Sequence, residues 1–271
     1  MKIIFTADSH LFYGNQTKAL RDMMVKIRAE KPNVVCVGGD LGEVLIYGDM
    51  GLVQELFSIQ PTLWVAGNHD LYTEGRKYAP PEAMEELLKV MSYGIALQKS
   101  WEDKCTYYEK DGVLFVGSIL FPDFADPKTI YPTKYLDNSC PTIDGTYVNL
   151  RGGWLQYTRT LLAAFEKKLQ LIDDSKCKNV VIITHYCCFV SQYNFNPNEE
   201  ISYYFFCYSA GEMIRKVAER NSDKKFYVVG AHGHEYNVGQ WVEETPNLIV
   251  HGIKSTYNSQ DYITLDIPAI D

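Results

Sequence analysis

Asn33-Val34-Val35-Cys36-Val37-Gly38-Gly39-Asp40 is a short, unbroken apolar run that stops on two glycines and a carboxylate. A run of that length bounded by glycine reads as a strand buried on both faces. Upstream, Lys2-Ile3-Ile4-Phe5-Thr6-Ala7 stops in the same way on Asp8-Ser9-His10. Between the two runs Leu20, Met23, Met24 and Ile27 recur at helical spacing, and Pro32 supplies a stop signal. The first 40 residues therefore predict one β-α-β unit.

The rhythm continues outward from that unit. A helix is expected at about 51–59, followed by a strand at 62–66 that runs into Gly67-Asn68-His69-Asp70. Further helices are predicted at 81–91, 154–172 and 210–220, and further strands at 113–120, 179–184 and 226–230. Residues 240–242, 248–251 and 262–265 read as short strands of a meander. The 179–184 run ends on His185, and the 226–230 run leads into His232-Gly233-His234. Each chemistry-bearing motif thus follows the carboxyl end of a predicted strand, where open α/β sheets place their sites. The fold class is α/β.

Two stretches break the pattern. Residues 121–153 hold Pro122, Pro127, Pro132 and Pro141 with no clear period, and 186–208 is crowded with aromatics from Tyr186 to Tyr208. Long ordered loops in compact domains are usually functional, which makes these candidate walls or lids of a substrate pocket. Aromatics serve equally well in a satellite core or an oligomer contact.

Composition narrows the class. A chain of 271 residues, 46% hydrophobic and 22% charged, can bury a large core, and a single domain over 1–271 is the expected organisation. The apolar run before Asp8 is too short for a signal peptide, and no stretch approaches the roughly 20 apolar residues of a membrane span. Seven cysteines form an odd set without a CxxC pair, as expected of reduced thiols in a cytoplasmic protein. A net charge of -8 disfavours nucleic acid without excluding it, since bound metals add positive charge that a residue count misses. Oligomeric state is not legible.

Five of the six histidines lie in the motif series. His, Asp and Asn together offer nitrogen and oxygen ligands for two divalent ions, for which manganese, iron, zinc, nickel and cobalt all qualify. A carboxylate such as Asp40 has two oxygens and can bridge two cations, whereas an imidazole nitrogen serves one. The single residue between Asp8 and His10, and between His232 and His234, puts each pair on one side of an extended segment. Two ions roughly 3.5 to 4 Å apart can share a hydroxide and neutralise phosphoryl oxygens, which is the chemistry of in-line phosphoester hydrolysis. At about one residue in twenty per position, DxH or HxH arises by chance about once per chain of this size, and GNHD in roughly one chain in a thousand. The ordered combination carries the reading, and no single dipeptide does.

That ordered set, Asp8-x-His10, Gly39-Asp40, Gly67-Asn68-His69-Asp70, His185 and His232-x-His234, resembles the calcineurin-like metallophosphoesterases over residues 8–234. The resemblance implies a metallophosphoesterase-type β-sandwich flanked by helices. It implies one metal held by Asp8, His10, Asp40 and His234, and a second held by Asp40, Asn68, His185 and His232. His69 then contacts the phosphate and protonates the leaving oxygen, with Asp70 orienting it.

The pattern is not followed throughout. Gly230-Ala231 precedes His232 where the family usually has one glycine, and Leu41-Gly42-Glu43 stands where the protein phosphatases carry Asp-Arg. Without that arginine to grip a terminal phosphate, a phosphodiester of a small molecule or nucleotide is the expected substrate. Three alternatives stand beside it. A phosphomonoesterase would need another cation, for which Arg76, Lys134 and Arg151 are candidates. A DNA-end nuclease would share the motifs and add salt-dependent binding. A non-catalytic scaffold would keep the metals and have no need of the His69-Asp70 pair. His251 lies outside the series and reads as structural or as a substrate contact, and Cys187 and Cys188 read as buried apolar residues.

Overall fold

A strand buried on both faces gives one set of side chains to each neighbouring layer, and that division organises this molecule. The computed structural model describes residues 1–11, 16–47, 50–123, 153–194, 204–205, 207–256 and 260–268. One sheet has the order β11 (Tyr262–Asp266), β1 (Lys2–Thr6), β2 (Val34–Val37), β3 (Thr62–Trp64), β4 (Ile95–Ala96). The other runs β5 (Tyr108–Lys110), β6 (Val113–Ser118), β7 (Asn179–Thr184), β8 (Lys225–Gly230), β10 (Leu248–Gly252), β9 (Val242–Thr245). In the first sheet β11 is antiparallel to β1 and the remaining pairs are parallel. In the second, β5 and β9 are the antiparallel edges of a parallel centre.

Alternation assigns each side chain to a layer. Ile3, Phe5, Val34, Cys36 and Leu63 of the first sheet meet Val113, Phe115, Val181, Ile183 and Val229 of the second in one buried cluster. The alternate residues Ile4, Val35, Val37 and Trp64 pack outward on α1 (Gln16–Glu30), α3 (Gly51–Phe57) and α4 (Pro80–Val90). Leu114, Val116, Val180, Ile182, Phe226 and Val228 pack outward on α5 (Trp154–Asp174) and α6 (Tyr208–Arg220). The result is two mixed sheets face to face with helices on both outer surfaces, as the family resemblance implies.

Local signals account for the helices. Leu20, Met23, Met24 and Ile27 are the buried stripe of α1, at the spacing read from the sequence. Pro80 and Pro81 open α4, where an amide donor has no partner to lose, and the Glu82 carboxylate accepts the Ala79 N–H at 3.2 Å.

Some elements differ from expectation. The third strand ends at Trp64 rather than Ala66, and the edge strand expected at 240–242 lies at Val242–Thr245. The short elements β4, β5 and α2 (Val44–Tyr47) were not expected, because two to four residues are too few to show a period. Most of the proline-rich stretch, 124–152, lies outside the described residues, as do 195–203 and 206 of the aromatic stretch.

Lys168 ties the layers together. Its ammonium is buried in α5 and donates to the carbonyls of Leu97 at 2.7 Å and Gly117 at 3.0 Å, next to the Asp103 carboxylate at 3.4 Å. Leu97 follows β4 and Gly117 lies in β6, so one cation holds the ends of both sheets. Burial pulls its pKa down to about 8, against the pull of Asp103. Lys168→Met, which leaves the Leu97 and Gly117 carbonyls without this donor and Asp103 without its buried cation, is expected to lower the unfolding free energy by about 3 kcal/mol, seen as a lower urea midpoint. A loss under about 1 kcal/mol would show that the clamp is dispensable.

Candidate metal centre

The turns that leave β1, β2, β3, β7 and β8 converge at one end of the sandwich and bring the motif residues together. Eight non-glycine residues among those described have positive φ, and five of them are Asp8, His10, Asp40, His232 and His234. Each such backbone costs of order 1 kcal/mol or more, and concentrations of them mark functional sites. The Asp8 turn is pinned to the next one by backbone bonds from Asp8 N–H to Gly39 O and from His10 N–H to Asp40 O, both 3.0 Å. Gly67 is obligatory, since a Cβ there would lie 2.0 Å from Asp40 Oδ1. Gly39, at φ +92°, lets the two turns pass each other.

Asp40 is the centre of the arrangement. Its Oδ2 lies 3.7 Å from His10 Nε2 and 3.4 Å from His185 Nε2, all three side chains fully buried. His185 Nε2 also lies 2.8 Å from Asn68 Oδ1 and 3.2 Å from His232 Nδ1, while His185 Nδ1 donates to Gly38 O at 2.8 Å. On the other side, His10 and His234 stack with ring centroids 5.0 Å apart, and Asp8 accepts the His232 amide at 3.2 Å. Ligand-type atoms within 4.8 Å of one another come from Asp8, His10 and His234, from His10, Asp40 and His69, and from Asp40, His185 and His232.

These residues fit divalent metal. Asp40 Oδ2 and His232 Nε2 are buried with no hydrogen-bond partner among the described residues, an expensive state unless a cation completes it. The donors are all nitrogen and oxygen, suited to first-row divalent ions. Every motif residue read as a ligand lies in this cluster.

The charges point the same way. Burial opposes ionisation of Asp40, but His185, His69 and His10 hold its carboxyl well below the usual range. Burial pushes Asp8 up and pushes His10 and His232 down. His185 goes the other way: burial disfavours its charge, but Asp40, Asp8 and the Gly38 carbonyl raise it to about 9. A proton on His185 thus answers Asp40 when no metal does. Because this folded pKa exceeds the ordinary 6.5, its stabilising effect is complete below pH 6.5 and is lost as pH rises through about 9. The metal-free protein should therefore lose stability between pH 6.5 and 9, on the order of 3 kcal/mol, and bound metal should remove that slope by expelling the proton. Thermal unfolding against pH, with and without manganese, checks this; a metal-free midpoint that rises over the window contradicts it.

Asp70 does not stand where the family resemblance implied. The Asp70 carboxylate does not serve His69. It accepts backbone N–H groups from Gly67 at 2.8 Å, Asp40 and Leu41 at 2.9 Å and Gly42 at 3.3 Å, and so fastens the 39–42 turn to the 67–70 turn. Burial and the nearby Asp40 carboxylate push it up to about 7, against the pull of the Gly67 and Gly42 amides. The acid on His69 is Glu43, whose Oε1 accepts from Nδ1 at 2.8 Å with both side chains buried. The His69 amide donates to Asp40 Oδ1 at 2.9 Å, which keeps the ring beside the cluster. Sequence reading passed over Glu43, although its place three residues after Asp40 was the available signal.

The remaining candidates divide. Tyr186 and Phe205 bring their rings within 4.1 and 5.3 Å of the His232 ring, so described members of the aromatic stretch line the centre. Tyr204 instead packs at 5.5 Å on Trp154, in the core. Cys187 and Cys188 are buried, with pKa values raised by burial, and donate to Ala231 O and Thr184 Oγ1. His251 is buried on β10 with its ring 5.0 Å from Trp241, and burial lowers it to about 4. Lys134 and Arg151 lie outside the described residues, and of Arg76 only the backbone, in a short turn at Glu74–Arg76, is described.

A family model described as calcineurin-like phosphoesterase matches residues 1–263. Among curated proteins, none matches the sequence. Among solved structures, a dimetal phosphatase from Danio rerio is similar, with 14% identity and a TM-score of 0.57 over 97% of this chain and 91% of that one. The calcineurin-like phosphoesterase YfkN from Bacillus subtilis aligns over 98% of this chain and 89% of that one, with 10% identity and a TM-score of 0.45. Identity this low is informative about fold alone. Among the described residues no helix is long and apolar enough to cross a membrane.

Proposed function

The chain belongs to the calcineurin-like phosphoesterase family, and from that premise we propose that it is a two-metal hydrolase of phosphodiesters in small molecules or nucleotides. One observation carries the reading: Asp40 stands between two donor groups, 3.7 Å from His10 Nε2 on one side and 3.4 Å from His185 Nε2 on the other. Asp8, His10, Asp40 and His234 would hold one ion, and Asp40, Asn68, His185 and His232 the other. Two ions so held would supply a hydroxide at neutral pH and offset charge on the phosphoryl oxygens.

The protein's own part lies in orientation and proton delivery. Glu43 fixes the His69 ring through Nδ1, so the proton given to the leaving oxygen is the one on Nε2. Asp70 supports the site indirectly by fastening the two turns that carry Asp40 and His69.

The preference for diesters rests on charge. Where a monoester-gripping arginine would stand, this chain has Leu41-Gly42-Glu43, and Glu43 and Asp70 are buried acids next to the candidate ligands Asp40 and Asn68 and to His69. A monoester brings two negative charges at neutral pH and a diester one, so this setting penalises the monoester more. The six described cysteines are free, in keeping with a reducing compartment such as the cytoplasm.

Hydrolysis of bis-p-nitrophenyl phosphate and p-nitrophenyl phosphate by stripped protein reloaded with manganese, zinc, nickel or cobalt tests the reading. Faster diester turnover is the expected result. Monoester preference would overturn the diester assignment, and metal binding without turnover of either would leave only a scaffold.

A further inference from the structure

The metal centre uses His232 and His234, but the rings around them do something else. Phe205 lies 5.3 Å from the His232 ring, and Tyr193 stacks on Phe205 at 5.2 Å and 18°. Tyr236, two residues beyond His234, lies 6.5 Å from Phe205 and 6.2 Å from Tyr193, and is 55% exposed. Rings thus run without a break from the His232 imidazole of the candidate centre to the surface. An exposed aromatic beside a site that is otherwise buried is a surface for a ligand to cover.

We infer that Tyr236 and Phe205, backed by the buried Tyr193, form a stacking subsite for the base of a nucleotide whose phosphate would sit at the candidate metal centre; this rests on the phosphoester reading of that centre. Two features select a planar heteroaromatic group. The patch consists of rings, and every base offers a π-face whatever its sequence identity. Its exposed member, Tyr236, presents a flat face that stacks on a planar ring better than it covers a flexible alkyl chain, while Tyr193 is buried and backs Phe205. In a nucleotide the base and the phosphate are one sugar apart, which matches rings packed directly against the His232 imidazole. The net charge of -8 favours a single nucleotide unit over a polynucleotide.

Binding to the manganese-loaded protein tests this, with adenosine 5′-monophosphate, ribose 5-phosphate and decyl phosphate as probes in calorimetry. Adenosine monophosphate is expected to bind about tenfold tighter than ribose 5-phosphate, the size of one base on one ring. Tyr236→Ala should shrink that gap to about twofold, and Tyr236→Phe should keep it, because the ring is needed and the hydroxyl is not. Equal binding of the two probes, a gap untouched by Tyr236→Ala, or a Tyr236-dependent gain for decyl phosphate alone would overturn the inference. Since affinity is read, a gap that persists in a protein unable to cleave bis-p-nitrophenyl phosphate would sink the hydrolase reading and leave the base subsite standing.

Discussion

Asp40→Asn is expected to reduce bound manganese from two equivalents to one or none, and to lower kcat/KM for a model diester by at least about a thousandfold. Both donor groups depend on Oδ2 of this residue, which lies 3.7 Å from His10 Nε2 and 3.4 Å from His185 Nε2. An amide NH₂ in that place donates where a cation needs an acceptor. Charge stabilisation by a metal pair is worth several kcal/mol, and each increment of about 1.36 kcal/mol is tenfold in rate. The fold should survive. The Asn carbonyl can still accept the His69 amide as Oδ1 does at 2.9 Å, and loss of the carboxylate relieves its repulsion of Asp70. Metal content by atomic spectroscopy, alongside a thermal melt of the metal-free protein, separates loss of function from loss of fold. An Asp40→Asn variant that keeps two ions and turnover within about tenfold of the parent would refute the bridging role.

His69→Gln is expected to act on the rate and not on metal content. General acid catalysis contributes about 10² to 10⁴ in rate. The size of the loss should therefore follow the leaving group. An alkoxide leaving oxygen needs a proton, and its release should slow by about a thousandfold; a p-nitrophenolate needs little help, and its release should slow by about tenfold. Glu43→Gln should show the same dependence more weakly, because an amide still meets Nδ1 but no longer balances charge on the ring. Rate losses that are equal for both leaving groups would remove His69 from the proton-transfer role. Metal loss in His69→Gln would make it a ligand, a position its place near His10 and Asp40 allows.

The strands and the candidate ligand residues that gather at one end of the sandwich were legible because both depend on local sequence. Short apolar runs bounded by turn residues, such as Val34–Val37 and Asn179–Thr184, read as strands with both faces covered, and each motif follows directly on its run. The buried stripe of α1 was legible for the same reason. Elements of two or three residues, such as β4 and β5, were not, since they exist only because a neighbouring strand offers a ladder. The aromatic stretch was legible as composition only. Which of its rings face His232 and which, like Tyr204, pack in the core depends on how the chain turns back from β7 toward α6.

The two acids near His69 mark the boundary most sharply. Asp70 is its neighbour in sequence, and the family resemblance implied a pair. Parallel pairing of β2 with β3, Val37 opposite Trp64, sets the turns after those strands side by side. Four backbone amides then converge on Asp70, and Glu43 of the other turn meets the imidazole. By itself the sequence determined the buried strands and the candidate ligand residues, and through the family resemblance the layers and the reaction class, because strand burial and ligand chemistry are carried by residues a few positions apart. Only the tertiary structure decided which carboxylate serves the ring and which rings wall the site, because those are contacts between turns, fixed by strand pairing and hydrogen-bond direction across distant parts of the chain.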